Sequence, residues 1–465
     1  MLPRIKNLLP LILIFLSSAI LFYPSLNYYF FQDDWFVLNW VKNSNLLGLF
    51  KFRTDIIYWR PISMPLFFKL NLSLFGLNPL GFHAMAFLIF FLLTSVVFYL
   101  FKSFIKDTKI SFIIAFLYAT WSIHFISLSW LSTTSYILGP LFEIISFIFF
   151  FRKNYFLSIA AFILAIASSE LAIVLPLLFL IWDLMINGRN RFKYILPFLA
   201  IDFIYLVLRF YIFPIPIGGN YQLSPSGVIN NIIWYFGWAL GLPESLKDLV
   251  FIRHPSESLR VLIQFWRVTI PSALLFLLIV HRLTLNFRQN SKDYLFGAAW
   301  FLVSISPVVA LKDHSYPMYL SFAGLGLLFI LSTAFKKAKT AAIFFLVLIW
   351  LVATKENLRF NGYVHWVVNE QGISRAYTDF ARKILPHPQN GTAFIIKGAD
   401  GDFAQLHNFV LIDKQNILRQ SLNNQDAMQV VYTNNTLKSL YIYGDGGIDL
   451  PPTTPIREIR PNTHQ

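Results

Sequence analysis

Apolar runs long enough to cross a bilayer alternate with short polar loops from the amino terminus to residue 354, after which the pattern changes. The runs predict eleven membrane helices, at about Leu8–Leu26, Leu80–Phe101, Ile110–Leu128, Thr133–Phe151, Tyr155–Ser168, Leu171–Ile186, Tyr194–Phe213, Arg267–Val280, Tyr294–Leu311, Tyr316–Phe335 and Ala341–Ala353. A further stretch, Ile229 to Leu242, is apolar and aromatic but short, and no basic cluster flanks it. It reads as an interfacial or re-entrant element. Counting it as a span would put Arg282, Arg288 and Lys292, and then Lys336, Lys337 and Lys339, on the wrong side for positive-inside sorting.

Two polar regions interrupt this periodicity. Residues 27–79 are mixed in polarity and rich in aromatics (Trp35, Trp40, Tyr58, Trp59), with helical periodicity from Asp34 to Leu49. They predict a large first external loop with one or two amphipathic helices at the membrane surface. From 355 to 450 charged and amide residues rise, and short apolar strands such as Thr392–Ile396 and Phe409–Ile412 alternate with glycine-containing turns, predicting a small external α/β domain. The Pro-rich tail, 451–465, reads as disordered, and Gly444-Asp445-Gly446-Gly447 as a turn rather than a phosphate cradle.

Composition agrees with the spans. The chain has 465 residues, 56% of them hydrophobic and only 13% charged, which places it outside the range of a soluble domain. A net charge of +15 would suggest nucleic acid in a soluble protein, but here the basic residues fall in short loops between spans and mark topology, so no nucleic-acid partner is expected. There is no cysteine, which excludes disulfides, thiol nucleophiles and Cys-ligated metals. Arg4 and Lys6 precede the first run, which lacks a small-residue cleavage site. The expectation is a retained first helix in a plasma-membrane protein, with a cytoplasmic amino terminus and an external carboxyl-terminal domain.

The candidate chemistry lies at one face of these predicted spans. Asp33 and Asp34 follow the first span directly; adjacent carboxylates near a membrane are costly, and each raises the other's pKa, which suits a proton-abstracting base. On the same predicted face are Arg60, His124 at the end of the third span, Glu170 at a hairpin tip, Arg209 at the end of the seventh, and Lys312, Asp313 and His314 between the ninth and tenth. Carboxylates for proton abstraction and cations for a phosphate meet the needs of transfer from a lipid-phosphate donor. Each residue also has an ordinary reading: snorkelling anchors for Arg60 and Arg209, a packing histidine for His124, solvated turns for Glu170, Asp313 and His314. Asp33, Asp34 and Glu170 could supply oxygen ligands to Mg²⁺ or Mn²⁺, and adjacent acids also work without metal. A transporter or flippase for lipid-linked saccharides is the competing class; it predicts charges deep within spans and repeated, broken helices, neither of which is evident. An oligosaccharide polymerase or ligase would instead place its large external loop between late spans.

The stretches Phe31-Gln32-Asp33-Asp34-Trp35, Trp59-Arg60-Pro61, Phe75-Gly76-Leu77-Asn78-Pro79 and Phe82-His83 resemble the first-loop region of the multi-spanning GT-C glycosyltransferases, in particular protein O-mannosyltransferase-like and TPR-linked O-mannosyltransferase-like proteins. Similar stretches are His124–Leu138 with Trp130, Ser169-Glu170 leading to Pro176 and Trp182-Asp183, and His314-Ser315-Tyr316-Pro317-Met318-Tyr319-Leu320 before Gly324. The resemblance covers about the first 335 residues. It implies an inverting transferase that uses a polyprenyl-phosphate-linked sugar, with Asp33 or Asp34 as base and Arg60 and Arg209 toward the lipid phosphate. Trp35, Tyr58, His124, Glu170, His314 and Tyr316 would line the site. The acceptor, whether protein, lipid or glycan, is not implied: Ser315 stands where the pattern is often basic, no TPR repeats follow, and the carboxyl-terminal region carries no matching motif.

Overall fold

The computed structural model is predominantly helical and describes residues 2–54, 56–187, 192–212, 222–250, 255–312, 314–398, 405–406, 409–410, 417–443 and 456–459. Seven helices are long and apolar enough to cross a membrane: Leu9–Asn27, Pro79–Ile105, Leu131–Phe151, Phe192–Ile212, Trp266–Val309, Pro317–Phe335 and Thr340–Val364. The pair Thr108–Ala119 and Ser122–Ser129, bent by 42°, makes an eighth if taken as one span. The chain is a multi-pass helical membrane protein. Exposed side chains such as Phe203, Phe210, Leu277 and Phe344 form an apolar periphery that water would not tolerate and lipid covers.

The eleven expected spans differ from these helices in three places. Tyr155–Ile166 has 12 residues, and at ~1.5 Å per residue it is shorter than a bilayer core. The segment after it is broken into a tight turn at Glu170–Val174, a helix at Leu175–Trp182 and a wider turn at Asp183–Asn187. Residues Trp266–Val309, expected as two helices, form one run of 44 residues whose helical geometry fails only at Asn290. The limb before Asn290 packs Phe265 on Phe360 and bonds Arg282 to the Ala334 carbonyl. The limb after it packs Phe296 on Phe329 and Trp300 on Phe322. The short element expected near Ile229–Leu242 is the 12-residue helix Val228–Ala239.

Packing of the bundle rests on aromatic stacking and close glycine contact. Phe147 and Phe150 stack on Trp300 and Phe179 at 5.1 and 4.1 Å. A Cβ on Gly326 would meet the Gly297 carbonyl oxygen at 2.4 Å, so the two helices touch backbone to backbone, as small residues permit in lipid.

A second core lies at one end of the bundle, and it joins the two polar regions. Tyr29, Phe30, Trp35, Val37, Leu38 and Val41 from the first loop are buried with Tyr377, Phe394, Ile396, Leu418 and Met428 from the carboxyl-terminal region. Hydrogen bonds run through it: Tyr29 N to Gln371 Oε1 (3.1 Å), Trp35 Nε1 to Ser374 Oγ (2.8 Å), Asn39 Nδ2 to Asp426 Oδ1 (2.8 Å) and Gln32 N to the Ser421 carbonyl (3.0 Å). Helix Thr340–Val364 continues past Lys355 and leads directly into Trp366–Ile384. Beyond it, Ala393–Gly398 is the middle strand of a parallel three-stranded sheet between Lys438–Tyr443 and Ile456–Ile459. The last strand is the one described part of the 451–465 stretch, and it supplies an edge to this sheet. Gln405–Leu406 and Phe409–Val410 form a separate antiparallel pair. The Gly444–Gly447 turn and Asp313 lie outside the described residues.

Candidate functional site

The first loop enters the site through a constrained backbone. Gln32 has φ 47° and ψ −126°, a region that costs an L side chain on the order of 1–3 kcal/mol and persists only where surroundings hold it. Here the holding contacts are its own N–H on the Ser421 carbonyl and its side chain, whose Nε2 donates to Glu370 Oε2 at 2.6 Å. Asp33 and Asp34 then occupy the first turn of helix Asp33–Lys42, where free N–H groups and the helix dipole favour negative charge. Lys69 closes the other end by donating to the Val41 and Ser44 carbonyls.

Adjacent in sequence, the two aspartates have opposite surroundings. Asp34 is fully buried, and its Oδ1 accepts from Ser132 N (2.8 Å) and Ser132 Oγ (2.6 Å), fixing the loop to the start of the Leu131–Phe151 segment. Burial raises its pKa to about 7 despite those bonds. Asp33 is partly exposed and lines a cavity of about 560 Å³. Burial also raises Asp33 above the ordinary carboxylate range, and Arg60 pulls it part of the way back.

The same cavity is lined by Trp130, Tyr316 and Trp366, and by Glu370 with Gln420 and Asn423. Trp366 is held by its Nε1 on Glu244 Oε1 (3.2 Å) and meets Trp130 edge to face at 5.2 Å. Burial raises Glu370 to about 7, against the bonds from Gln32 and Ser421, with Asp33 adding to the rise.

A second cavity, about 620 Å³, is lined by Tyr58, Arg60, Glu170, Arg209 and His314, with apolar walls from Leu206, Phe210, Val308 and Leu311. Its polar pair is positioned by backbone. Ile62 N bonds the Ala167 carbonyl and Ser63 Oγ the Ser168 carbonyl, which brings the segment after Arg60 against the hairpin tip. Gly139 lets helix Ser135–Phe151 approach the same tip, because a Cβ there would meet Ser169 Cβ at 2.7 Å. Arg60 then binds Glu170 in a fork, Nε to Oε2 at 2.7 Å and Nη2 to Oε1 at 2.5 Å. Ser135 Oγ and Tyr136 OH each accept from it at 3.2 Å, and the Tyr58 ring lies 4.4 Å from it. Burial alone would raise Glu170, but Arg60 outweighs it and holds the carboxyl below the ordinary range. Burial, then the charge of Arg60, lowers His314 to about 4, so its ring is neutral.

The two cavities are neighbours. His314, in the second, packs on Tyr316, in the first, with ring centroids 5.0 Å apart, and Arg60 is close enough to Asp33 to lower its pKa.

The structure therefore brings together Asp33, Tyr58, Arg60, Glu170, Arg209, His314 and Tyr316, and leaves out three expected residues. Asp34 serves the fold through Ser132. Trp35 lies in the second core, bonded to Ser374. His124 is buried with Nε2 on the Tyr118 carbonyl (3.0 Å) and its ring between Phe90 and Tyr118, both 4.7 Å away, since the helix break at Thr120 and Trp121 turns it inward. Asp34 faces Ser132 and Glu170 faces Arg60, and among the described residues no group of three His, Asp or Glu side chains is placed to hold a metal ion. Sequence reasoning missed Glu370 and Trp366. Their signal was an acid on the buried face of the amphipathic helix Trp366–Ile384, directly after the last span.

Compared with known protein families and with curated proteins, the chain matches none.

Proposed function

We propose that the protein is a membrane glycosyltransferase of GT-C type that moves a sugar from a polyprenyl-phosphate donor to a hydroxyl acceptor, with inversion and with Asp33 as general base. The observation that supports this most is the pairing of the two cavities across His314 and Tyr316. One presents a carboxylate with a raised pKa beside polar and aromatic groups. The other has an apolar wall open to the periphery and cations at its rim. A lipid-linked sugar phosphate needs both, in contact.

In this reading the prenyl chain lies along Leu206, Phe210 and Leu311, and the phosphate sits by Arg209. Arg60 is a positioning residue, since Glu170 occupies its fork. The acceptor hydroxyl gives its proton to the Asp33 carboxylate. Its oxygen pair forms the new bond to the anomeric carbon from the face opposite the phosphate. The bond from that carbon to the phosphate oxygen breaks, its electrons stay on the phosphate, and polyprenyl phosphate departs. Asp33 then loses the proton to water. Neutral His314 donates or accepts a hydrogen bond at the phosphate without adding charge.

The reading also carries a topology of eleven crossings. It counts the bent pair as one, adds Tyr155–Ile166 and the broken segment 170–187, and divides Trp266–Val309 at Asn290. Helix Val228–Ala239 stays interfacial, the amino terminus is cytoplasmic and the site is external in the plasma membrane. Cysteines introduced singly into the loops, probed with an impermeant thiol reagent, test that count.

The direct test is turnover of a panel of polyprenyl-phosphate sugars by purified protein in lipid. Wild type releases or transfers one sugar, and Asp33→Asn binds that donor without consuming it. Absence of turnover with every donor, or full activity of Asp33→Asn, sinks the reading.

A further inference from the structure

We infer that the acceptor is an uncharged saccharide, seated in the cavity beside Asp33 against the ring wall formed by Trp130, Tyr316 and Trp366. The inference rests on the transferase reading and adds the acceptor class to it.

The first ground is the composition of the cavity walls. On one side stand three aromatic rings, each partly exposed to the cavity. They are fixed rather than loose: Trp366 is anchored at Nε1 by Glu244 and backed by His365 at 5.4 Å, and Trp130 and Tyr316 flank it at 5.2 and 6.5 Å. Fixed rings offer flat apolar surface at low entropic cost, which suits the C–H face of a sugar. Across from them are planar polar groups, the side chains of Gln32, Glu370, Gln420 and Asn423. Amides and carboxylates present paired donors and acceptors, the pattern that neighbouring hydroxyls match.

The second ground is how this polar side is held. Asn423 and Asn424 both have positive φ, 44° and 56°, a conformation that Asn tolerates better than other side chains and that shapes the turn after helix Ile417–Ser421. Gln32, on the same side, is held in its own strained backbone by Ser421 and Glu370. Strain maintained on two adjoining segments, by bonds between distant parts of the chain, marks a built surface.

The other acceptor classes fit less well. Asp33 and Glu370 face this space and Arg419 directs its Nε to Asn424 Oδ1 at 2.6 Å, so the balance opposes an anion. A lipid would need an apolar channel, which belongs to the neighbouring cavity. A polypeptide strand would need a sheet edge, and among the described residues no strand contributes to the lining. At about 560 Å³ the volume suits a few sugar rings, within the ~300–1,000 Å³ range of small-ligand sites.

The test uses the full chain in lipid, the donor that turns over, and three acceptor sets: uncharged oligosaccharides, hydroxyl-bearing peptides and dispersed polyprenol. The expected result is that an oligosaccharide speeds donor consumption and is recovered one sugar longer, while peptides and polyprenol are not modified. Trp366→Ala raises the saccharide KM at least tenfold, and Gln420→Ala, which removes one exposed amide from helix Ile417–Ser421, raises it about threefold. Transfer to peptide or polyprenol, or an unchanged saccharide KM in both variants, overturns the acceptor assignment and leaves the transferase standing. Failure of every donor to turn over overturns both.

Discussion

The two neighbouring cavities share the first loop and differ in what completes it. Around Asp33 the loop meets residues 366–424, more than three hundred residues away and joined to it in one buried core, with Trp130 and Tyr316 reaching in from the bundle. Around Arg60 and Glu170 a later part of the same loop meets the ends of membrane helices. The first is polar, aromatic and acidic, and the second is mostly apolar with a closed ion pair. This separation lets each carboxylate be set by its own surroundings: Asp33 by burial beside a distant cation, Glu170 by a bidentate partner. In the proposed reaction, proton transfer and charge stabilisation would fall to neighbouring cavities that meet at His314 and Tyr316.

Breaking one side should leave the other legible. The largest effect belongs to Asp33→Asn: loss of a general base costs roughly 10²–10⁴-fold in rate, read as donor consumption, with the melting temperature unchanged. Next is Glu170→Ala, which leaves the Arg60 guanidinium, only 10% exposed, without its carboxylate and lowers stability by about 1.5–3 kcal/mol, read by thermal unfolding in lipid. Asp34→Ala leaves Ser132 N–H and Oγ–H without an acceptor and costs roughly 1–3 kcal/mol, whereas Asp34→Asn keeps an accepting oxygen and costs less. Arg209→Gln raises the donor KM about tenfold, the scale of one charge-assisted contact, without altering the pH profile set by Asp33.

A separate consequence is a pH dependence of stability. Asp34 and Glu370 are both held at about 7 in the fold, above their ordinary values of 3.8 and 4.5. The folded state therefore binds more protons than the unfolded chain between those values, and stability falls as pH rises through about 7. The melting temperature should drop from pH 5 to pH 8, with a shallower slope in Asp34→Asn.

Much of this was legible in the sequence because it was carried by patterns one element long. Spans follow from apolar runs, the acidic doublet stands out beside a membrane, and Arg60, Glu170, Arg209 and His314 were all placed together at one end. What was not legible depends on contacts between distant segments. Asp33 and Asp34 look alike until Ser132 occupies one of them. His124 looked like a site residue because polar side chains at span ends usually face water; the break before it turns the ring into the core. Glu370 was hidden because the carboxyl-terminal region reads as a separate domain, and only the shared core shows that it completes the first loop's cavity.

The most direct test of the two-cavity account is to locate the bound donor. A polyprenyl-phosphate sugar carrying a photoreactive group next to its phosphate would be bound to Asp33→Asn in lipid, irradiated, and the labelled residues mapped by mass spectrometry. The account predicts labels on Tyr205–Phe210 and on the Leu311–Tyr319 segment, lost on competition with unlabelled donor. Competable labelling confined to another face, such as the groove between Gln264–Val268 and Phe360–Val364, would contradict it.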